Sequence, residues 1–364
     1  MNISWVTDHV MIQSKEDDTK GAIVGGAETT VDTFIKKGRE QKHNIQLLDP
    51  NTINRGKLEE ADLVILSSVT IGIKKTQFKA EDIDWIVENK KFIKIEHDAT
   101  FCKFRNPECL ESCSIRKCEP FWFRKMYKNA EKVIFLSPLQ LKYHLRFFWK
   151  ELGSKKYINS NASEIAEYES DWTKVWKDMK SDKVHCIPPC IKKGLMVPSE
   201  EARVKGTYCV VGAMYEGKGI RDILSQYESL GKNLRFIGPG TDINLVGAIS
   251  NAGHTVVPRV PYSEMPSVLQ KYEYIIISRR IQKQDNQGRL LINEEENGIY
   301  TYMNEGFARI IPEALGCGLK ILVDKDSKAH IGCYSYGWSN EEIVDNCDTS
   351  DEKFWNLIGD IKNA

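Results

Sequence analysis

The chain has 364 residues, too long for one ordinary hydrophobic core, because single cores stop growing near about 250–300 residues and domains commonly hold about 100–150. Its 51 basic and 51 acidic residues cancel, so no long-range field marks a nucleic-acid binder or a polybasic membrane binder. Two domains are expected, with any charge-based chemistry confined to local clusters.

The first segment, MNISWVTDHVMIQ, is strand-like but interrupted by Asp8 and His9. It lacks the basic start and unbroken apolar core of an export signal, which gives the expectation of a cytoplasmic protein. No run approaches the roughly 18–20 apolar residues that cross a bilayer, although a peripheral contact with lipid stays compatible with the sequence. Apolar runs at 3–6, 45–48, 63–66, 92–95 and 132–136 read as strands, and 28–42, 80–88, 122–130 and 139–152 as helices. That alternation predicts a parallel sheet covered by helices.

Residues 183–198 hold a strand-like piece, the pair Pro188-Pro189, Gly194 and Pro198, which is punctuation between domains. The pattern then restarts, with strands expected at 208–211, 234–237, 274–277 and 320–323 and helices at 220–230, 247–252, 265–271 and 310–316. The stretch 282–302 is polar, acidic at Glu294-Glu295-Glu296 and without clear periodicity. It reads as an inserted loop, either covering a site or forming a plain surface excursion. The fold class is therefore α/β, as two Rossmann-like doubly wound domains, 1–190 and 191–350, followed by a helix in 351–364. Open parallel sheets bind ligands at the carboxyl ends of their strands, so a cleft between two such domains is the expected site.

Four cysteines, Cys102, Cys109, Cys113 and Cys118, lie within one polar stretch. Four thiols so close suit a tetrahedral structural zinc, but none of the spacings is a C-x2-C knuckle, so free thiols and paired disulfides compete with that reading. Cys209 and Cys317 sit in strand and helix contexts where a small buried thiol is the usual explanation.

The most informative string is EGFARIIPEALGCG, from Glu305 to Gly318. It reads as a loop feeding a short helix, with Pro312 tolerable only near the helix start, where amides point toward an anion. Two glutamates suit pairs of sugar or ribose hydroxyls, although that spacing also arises by chance on solvated helices. The whole string resembles the Glu, seven residues, Glu signature of family 4 retaining glycosyltransferases, commonly written EGFGRVVLEAMACG. The resemblance implies a GT-B fold, with Glu305 on the donor sugar, Gly306, Phe307 and Ala308 presenting backbone amides to sugar and diphosphate, and Glu313 on the ribose. It implies as well that the helix in 351–364 crosses back to brace the first domain.

A second string, VVGAMYEGKG from Val210 to Gly219, resembles the family's VGRLxxEKG segment, whose arginine and lysine neutralise the donor diphosphate in place of a metal ion. Gly212 and Lys218 match; Ala213 stands where the arginine would be. Arg279, Arg280 and Arg309 are the candidates to replace it. Gly25-Gly26-Ala27-Glu28 resembles the family's GGxE loop, which admits phosphates and acceptor. His97, at the end of a strand in Glu96-His97-Asp98, matches a histidine near the transferred sugar; the expectation is that it orients hydroxyls, with general-base action as the second reading. The stretch from Val260 to Leu269 supports the same alignment.

The sequence thus predicts a retaining, metal-independent transferase that needs no cofactor for transfer. Its donor would be a nucleoside diphosphate sugar, its acceptor a glycan, lipid-linked or other hydroxyl, and nucleic acid is not expected as a partner. A nucleotide-sugar epimerase on the same scaffold and a catalytically silent sugar-nucleotide or glycan-binding protein are the rivals; Ala213 favours the last.

Overall fold

The computed structural model describes residues 1–8, 25–72, 77–101, 120–148, 150–153, 182–192, 194–214, 218–240, 242–258, 260–278, 280–284, 299–303, 307–323 and 325–363. The chain divides into two compact units. Unit 1 comprises the described residues up to Cys190 together with the segment from Thr349, and unit 2 runs from Ile191 to Asp348.

Unit 1 is built on six parallel strands, β1 (Asn2–Thr7), β2 (Asn44–Leu48), β3 (Leu63–Ser67), β4 (Phe92–Glu96), β5 (Lys132–Phe135) and β6 (Val184–Cys186), in the order β2-β1-β3-β4-β5-β6. The strand-like piece after Lys183 is thus the sheet's last strand. Its helices are α1 (Gly26–Glu40), α2 (Arg55–Glu59), α3 (Ala80–Asn89), α4 (Pro120–Asn129) and α5 (Pro138–Phe148). Strands β3 and β5 read as nearly continuous apolar runs because both faces of the sheet are covered. Val6, Val64, Leu66, Phe92, Val133 and Phe135 fill one core; Ile3, Trp5, Leu63, Ile65, Ile93, Ile95 and Ile134 fill the other. Helix α1 ends with Lys42 at φ +64°, and the His43 amide bonds the Gly38 carbonyl at 3.0 Å, a left-handed helix stop usually made by glycine.

Unit 2 contains β7 (Val204–Val211), α6 (Ile220–Gln226), β8 (Leu234–Ile237), α7 (Ile243–Asn251), β9 (Thr255–Val257), α8 (Met265–Leu269), β10 (Tyr272–Ile276), β11 (Arg280–Gln284), β12 (Ile299–Met303), α9 (Ile310–Gly316), β13 (Lys320–Leu322), α10 (Lys325–Ala329) and α11 (Asn340–Asp348). Five of these strands form a parallel sheet in the order β13-β10-β7-β8-β9. Cys209, Ile237 and Ile275 face one core, and Val210, Phe236 and Ile276 the other. Helix α7 begins earlier than its apolar pattern suggests, because the Asp242 carboxylate accepts from the Asn244 and Leu245 amides at 2.9 and 3.2 Å and caps it.

The stretch expected to be a loop is corrected in part. Strands β11 and β12 pair antiparallel, with Arg280 opposite Met303 and Gln284 opposite Ile299. Ile299, Tyr300, Thr301 and Tyr302 are strong strand formers, and they pair with a polar strand whose composition conceals it.

A final helix, α12 (Ser350–Asn363), packs on α1 within unit 1. Phe354 stacks on Phe34 at 4.5 Å, and the Trp355 indole donates to the Phe34 carbonyl at 2.9 Å. Among the described residues, no helix is long and apolar enough to cross a membrane.

Each sheet reverses its strand order once, between β1 and β3 in unit 1 and between β7 and β10 in unit 2. In open parallel sheets, ligands bind at the carboxyl edge beside such a reversal.

Candidate functional site

At the unit 2 reversal, β7 runs into Gly212 (φ +140°) and its neighbour β8 into Gly238 (φ +145°). The Gly212 amide donates to the Ile237 carbonyl and the Met214 amide to the Pro239 carbonyl, both at 2.9 Å, so the two strand ends are zipped into one double loop. A β-carbon on Gly238 would lie 2.1 Å from the Gly212 carbonyl oxygen, which leaves room only for glycine. Lys218, in the turn before α6, reaches back over this loop: its Cε lies 3.9 Å from where a Gly212 β-carbon would be. Close backbone bearing one ammonium group is an arrangement suited to an anion. Ala213 brings no charge, and Met214 anchors the loop in the core.

Beyond β10 and the paired strands β11 and β12, Phe307, Ala308 and Arg309, all buried, lead into α9. Pro312 sits in the first turn of α9, where its missing N–H costs nothing. Glu313, one turn after Arg309, is 5% exposed. Arg309 Nε donates to Glu313 Oε1 at 2.6 Å, Arg309 Nη2 to the Tyr262 hydroxyl at 2.7 Å, and that hydroxyl to Glu313 Oε1 at 2.9 Å. Tyr262 arrives from the turn Tyr262–Glu264 after β9, with its ring centroid 5.2 Å from the guanidinium carbon. Burial opposes the Arg309 charge, yet Glu313 and Tyr262 hold its pKa above the ordinary value. Burial, then the Glu313 charge, push the Tyr262 phenol up. The same two causes raise the Cys317 thiol to about 11.

Arg309, a sequence candidate for the place left by Ala213, therefore commits two nitrogens to Glu313 and Tyr262. Glu305, Gly306 and Arg279 lie outside the described residues. Arg280 begins β11.

In unit 1, Gly25 caps α1 and Gly26 opens it. The Thr29 and Thr30 hydroxyls donate to the Gly25 and Gly26 carbonyls at 2.9 and 2.8 Å. A β-carbon on Gly25 would meet Glu28 Oε2 at 2.6 Å, so the Glu28 carboxylate folds back over the helix start. His97 follows β4, is buried, and shares a hydrogen bond of 2.9 Å between its Nε2 and Ser67 Oγ at the end of β3. Ser68, next in the chain, is a serine at φ +50° whose Oγ is buried without a hydrogen-bond partner. Strained residues of this kind concentrate at functional sites.

Beneath His97, Lys94 and Glu96 form an ion pair of 2.7 Å with neither side chain exposed. Tyr127 donates to Glu96 Oε1 at 2.8 Å and Thr100 to Oε2 at 3.2 Å. Thr100 belongs to the loop that carries His97, so the pair ties that loop to the core. Burial, then the Glu96 charge, raise the Tyr127 phenol. His144, in the same aromatic box, has its pKa lowered, chiefly by burial.

Cys102, Cys109, Cys113 and Cys118 lie outside the described residues, and with them the question of structural zinc. Among the described residues, no cluster of three or more His, Cys, Asp or Glu side chains forms a metal site, and no disulfide joins Cys186, Cys190, Cys209, Cys317, Cys333 and Cys347 to one another.

Sequence reasoning misses Gly238, Tyr262 and the Lys94–Glu96 pair. Gly238 is signalled by Gly-Pro-Gly directly after a strand. Tyr262 carries no local signal, because its partner lies 51 residues away.

No protein-family profile matches the chain, and no curated protein resembles it in sequence. Its fold does have solved counterparts. A sucrose-phosphate synthase from Thermosynechococcus elongatus superposes with a TM-score of 0.53 at 12% identity, over 98% of this chain and 94% of that one. The Anabaena protein HepE, in complex with UDP and glucose, gives 0.52 at 12% identity over 98% and 91%. An alpha-glucosyltransferase in complex with UDP gives 0.53 at 9% identity over 98% and 94%. At these identities the likeness shows the fold, two Rossmann-like units of the kind found in GT-B glycosyltransferases.

Proposed function

We propose that the chain is a glycosyltransferase, one that moves a sugar from a nucleoside diphosphate sugar to an acceptor hydroxyl with retention of configuration and without a metal ion in the transfer step. The observations that support this reading are the Gly212–Gly238 double loop under Lys218 at the unit 2 strand reversal and the buried Glu313 in α9 of the same unit. These are the positions that the signature resemblance assigns to diphosphate and ribose. Fold counterparts have been solved with UDP, UDP and glucose, and UDP-glucose, and UDP-glucose is accordingly the first donor to test.

In this reading Lys218 and the amides around Gly212 stabilise the charge that gathers on the leaving diphosphate as the glycosidic bond breaks. Amides of Phe307 and Ala308, with Gly306 and Glu305 ahead of them, hold the sugar, and Glu313 holds the ribose. Arg279 and Arg280 are the remaining candidates for the cation absent at Ala213. The leaving diphosphate itself takes the acceptor proton on the face it departs from, so no side chain of nucleophilic strength is required. From unit 1, His97 orients hydroxyls, with Gly25 and Gly26 admitting phosphate and acceptor.

The acceptor is a hydroxyl on a glycan, a lipid-linked or another molecule. A fold counterpart solved with UDP-glucose and DNA leaves the expectation that nucleic acid is excluded without support, and duplex DNA belongs in the acceptor panel.

Product analysis with nucleotide-sugar donors tests the proposal. Glycosylated acceptor, or donor hydrolysis in its absence, supports it. An epimerised donor, or nucleotide binding with no bond cleavage under any acceptor, sinks it. Glu313→Ala is expected to weaken nucleotide binding, and Glu305→Ala to impair turnover of the intact donor.

A further inference from the structure

Among the described residues, the two hydrogen bonds that the Glu313 side chain accepts end on the same oxygen. Oε1 accepts from Arg309 Nε and from the Tyr262 hydroxyl, and Arg309 Nη2 closes the ring by donating to that hydroxyl. Oε2 stands outside the ring. An ionised carboxylate has about four lone-pair sites, two on each oxygen, so the ring occupies one oxygen and leaves the other for a ligand.

Two consequences follow from the charges. Arg309 Nε, on a side chain 7% exposed, faces Glu313 Oε1 at 2.6 Å and supplies its counter-ion inside the fold. An unbalanced carboxylate would also repel a diphosphate on the same ligand, and pairing with Arg309 cancels that repulsion. The ring further fixes the rotamer of Glu313, held from its own helix by Arg309 and from a separate turn by Tyr262. What remains is a charge-balanced, preset acceptor for uncharged hydroxyls.

We infer that Arg309 and Tyr262 are positioning residues that fix Glu313 Oε2 for the ribose hydroxyls of the nucleotide and thereby set the discrimination between ribonucleotides and their deoxy forms. This rests on the reading of Glu313 as the ribose ligand.

The test is calorimetric titration of the full chain with UDP and with 2′,3′-dideoxyuridine diphosphate, repeated with the ADP and GDP pairs. Wild-type protein is expected to bind the ribonucleotide at least about tenfold more tightly, as for a hydrogen bond to a charged group. Tyr262→Phe, which removes only a hydroxyl, should bring the two affinities together by weakening the ribonucleotide and leaving the dideoxy form unchanged; Arg309→Gln, which also uncovers the carboxylate's charge to the diphosphate, should weaken both, the ribonucleotide by more. Arg309→Lys, which keeps the charge without the fork, should fall between. Equal weakening of both nucleotides, or an unchanged ratio in folded variants, overturns the inference while leaving Glu313 as a ribose ligand. A wild-type protein that does not distinguish the two forms overturns the assignment of Glu313 as well, and one that binds no nucleoside diphosphate overturns the functional reading itself.

Discussion

Lys94 and Glu96, two residues apart on a central strand of unit 1, point to the same side of the sheet and meet at 2.7 Å with neither side chain exposed. Charged pairs so deep recover their desolvation cost only when every remaining lone pair and proton is satisfied. Here Tyr127, Thr100 and the Ile95 carbonyl supply the additional bonds.

Removal of one partner strands the other. Glu96→Ala should cost about 3–5 kcal/mol of unfolding free energy, while the double change Lys94→Met with Glu96→Leu should cost much less. Urea unfolding at neutral pH measures both. A double variant as unstable as the single one would show that the pair contributes no strandable charge.

The aromatic box beside this pair makes stability depend on acid. His144 is buried, and burial lowers its pKa below the ordinary 6.5, so the folded protein resists a proton that the unfolded chain accepts. The contribution is complete above about pH 6.5 and is lost as pH falls toward the folded value, by up to about 1.4 kcal/mol per pH unit for one proton. His185 is shifted the same way and adds to the slope. His144→Phe, which also removes an Nε2 that has no hydrogen-bond partner, should flatten the fall between pH 6.5 and 5 in thermal unfolding; an unchanged slope would reassign it.

Gly238→Ala should destabilise unit 2 by at least about 2 kcal/mol, since it combines a left-handed backbone with a collision against the Gly212 carbonyl oxygen. Gly247→Ala makes a useful contrast. A β-carbon there meets nothing within 4 Å, so that variant should gain up to about 1 kcal/mol of helix stability. Chemical denaturation ranks the two.

Lys42→Gly should stabilise by about 1 kcal/mol, because an exposed lysine holds the left-handed stop of α1 at φ +64°. A loss of stability would mean that the lysine side chain makes an interaction outweighing that strain.

Much of the fold is legible in the sequence because each strand is a short apolar run between polar neighbours. Leu234 to Ile237, bounded by Asn233 and Gly238, is read to the residue. The hairpin is not legible, since Arg280 to Gln284 is polar and acquires its strand character only by pairing with Ile299 to Met303. Phe92 to Glu96 misleads in another way: Phe-Ile-Lys-Ile-Glu alternates as a strand with one wet face does, yet helices cover both faces and the charges are internal. In the candidate site, Glu313 is visible through its string, whereas Tyr262 joins it only when the β9–β10 connection brings its hydroxyl to 2.9 Å from Oε1.

The packing of Ser350–Asn363 against α1 has a bearing on vectorial synthesis. A ribosome that has delivered every strand of unit 1 has yet to make the helix whose Phe354 covers Trp5 and Phe34. Until that stretch emerges, the nascent first half exposes a greasy face that chaperones can grasp, and a fragment cut at residue 190 would keep it.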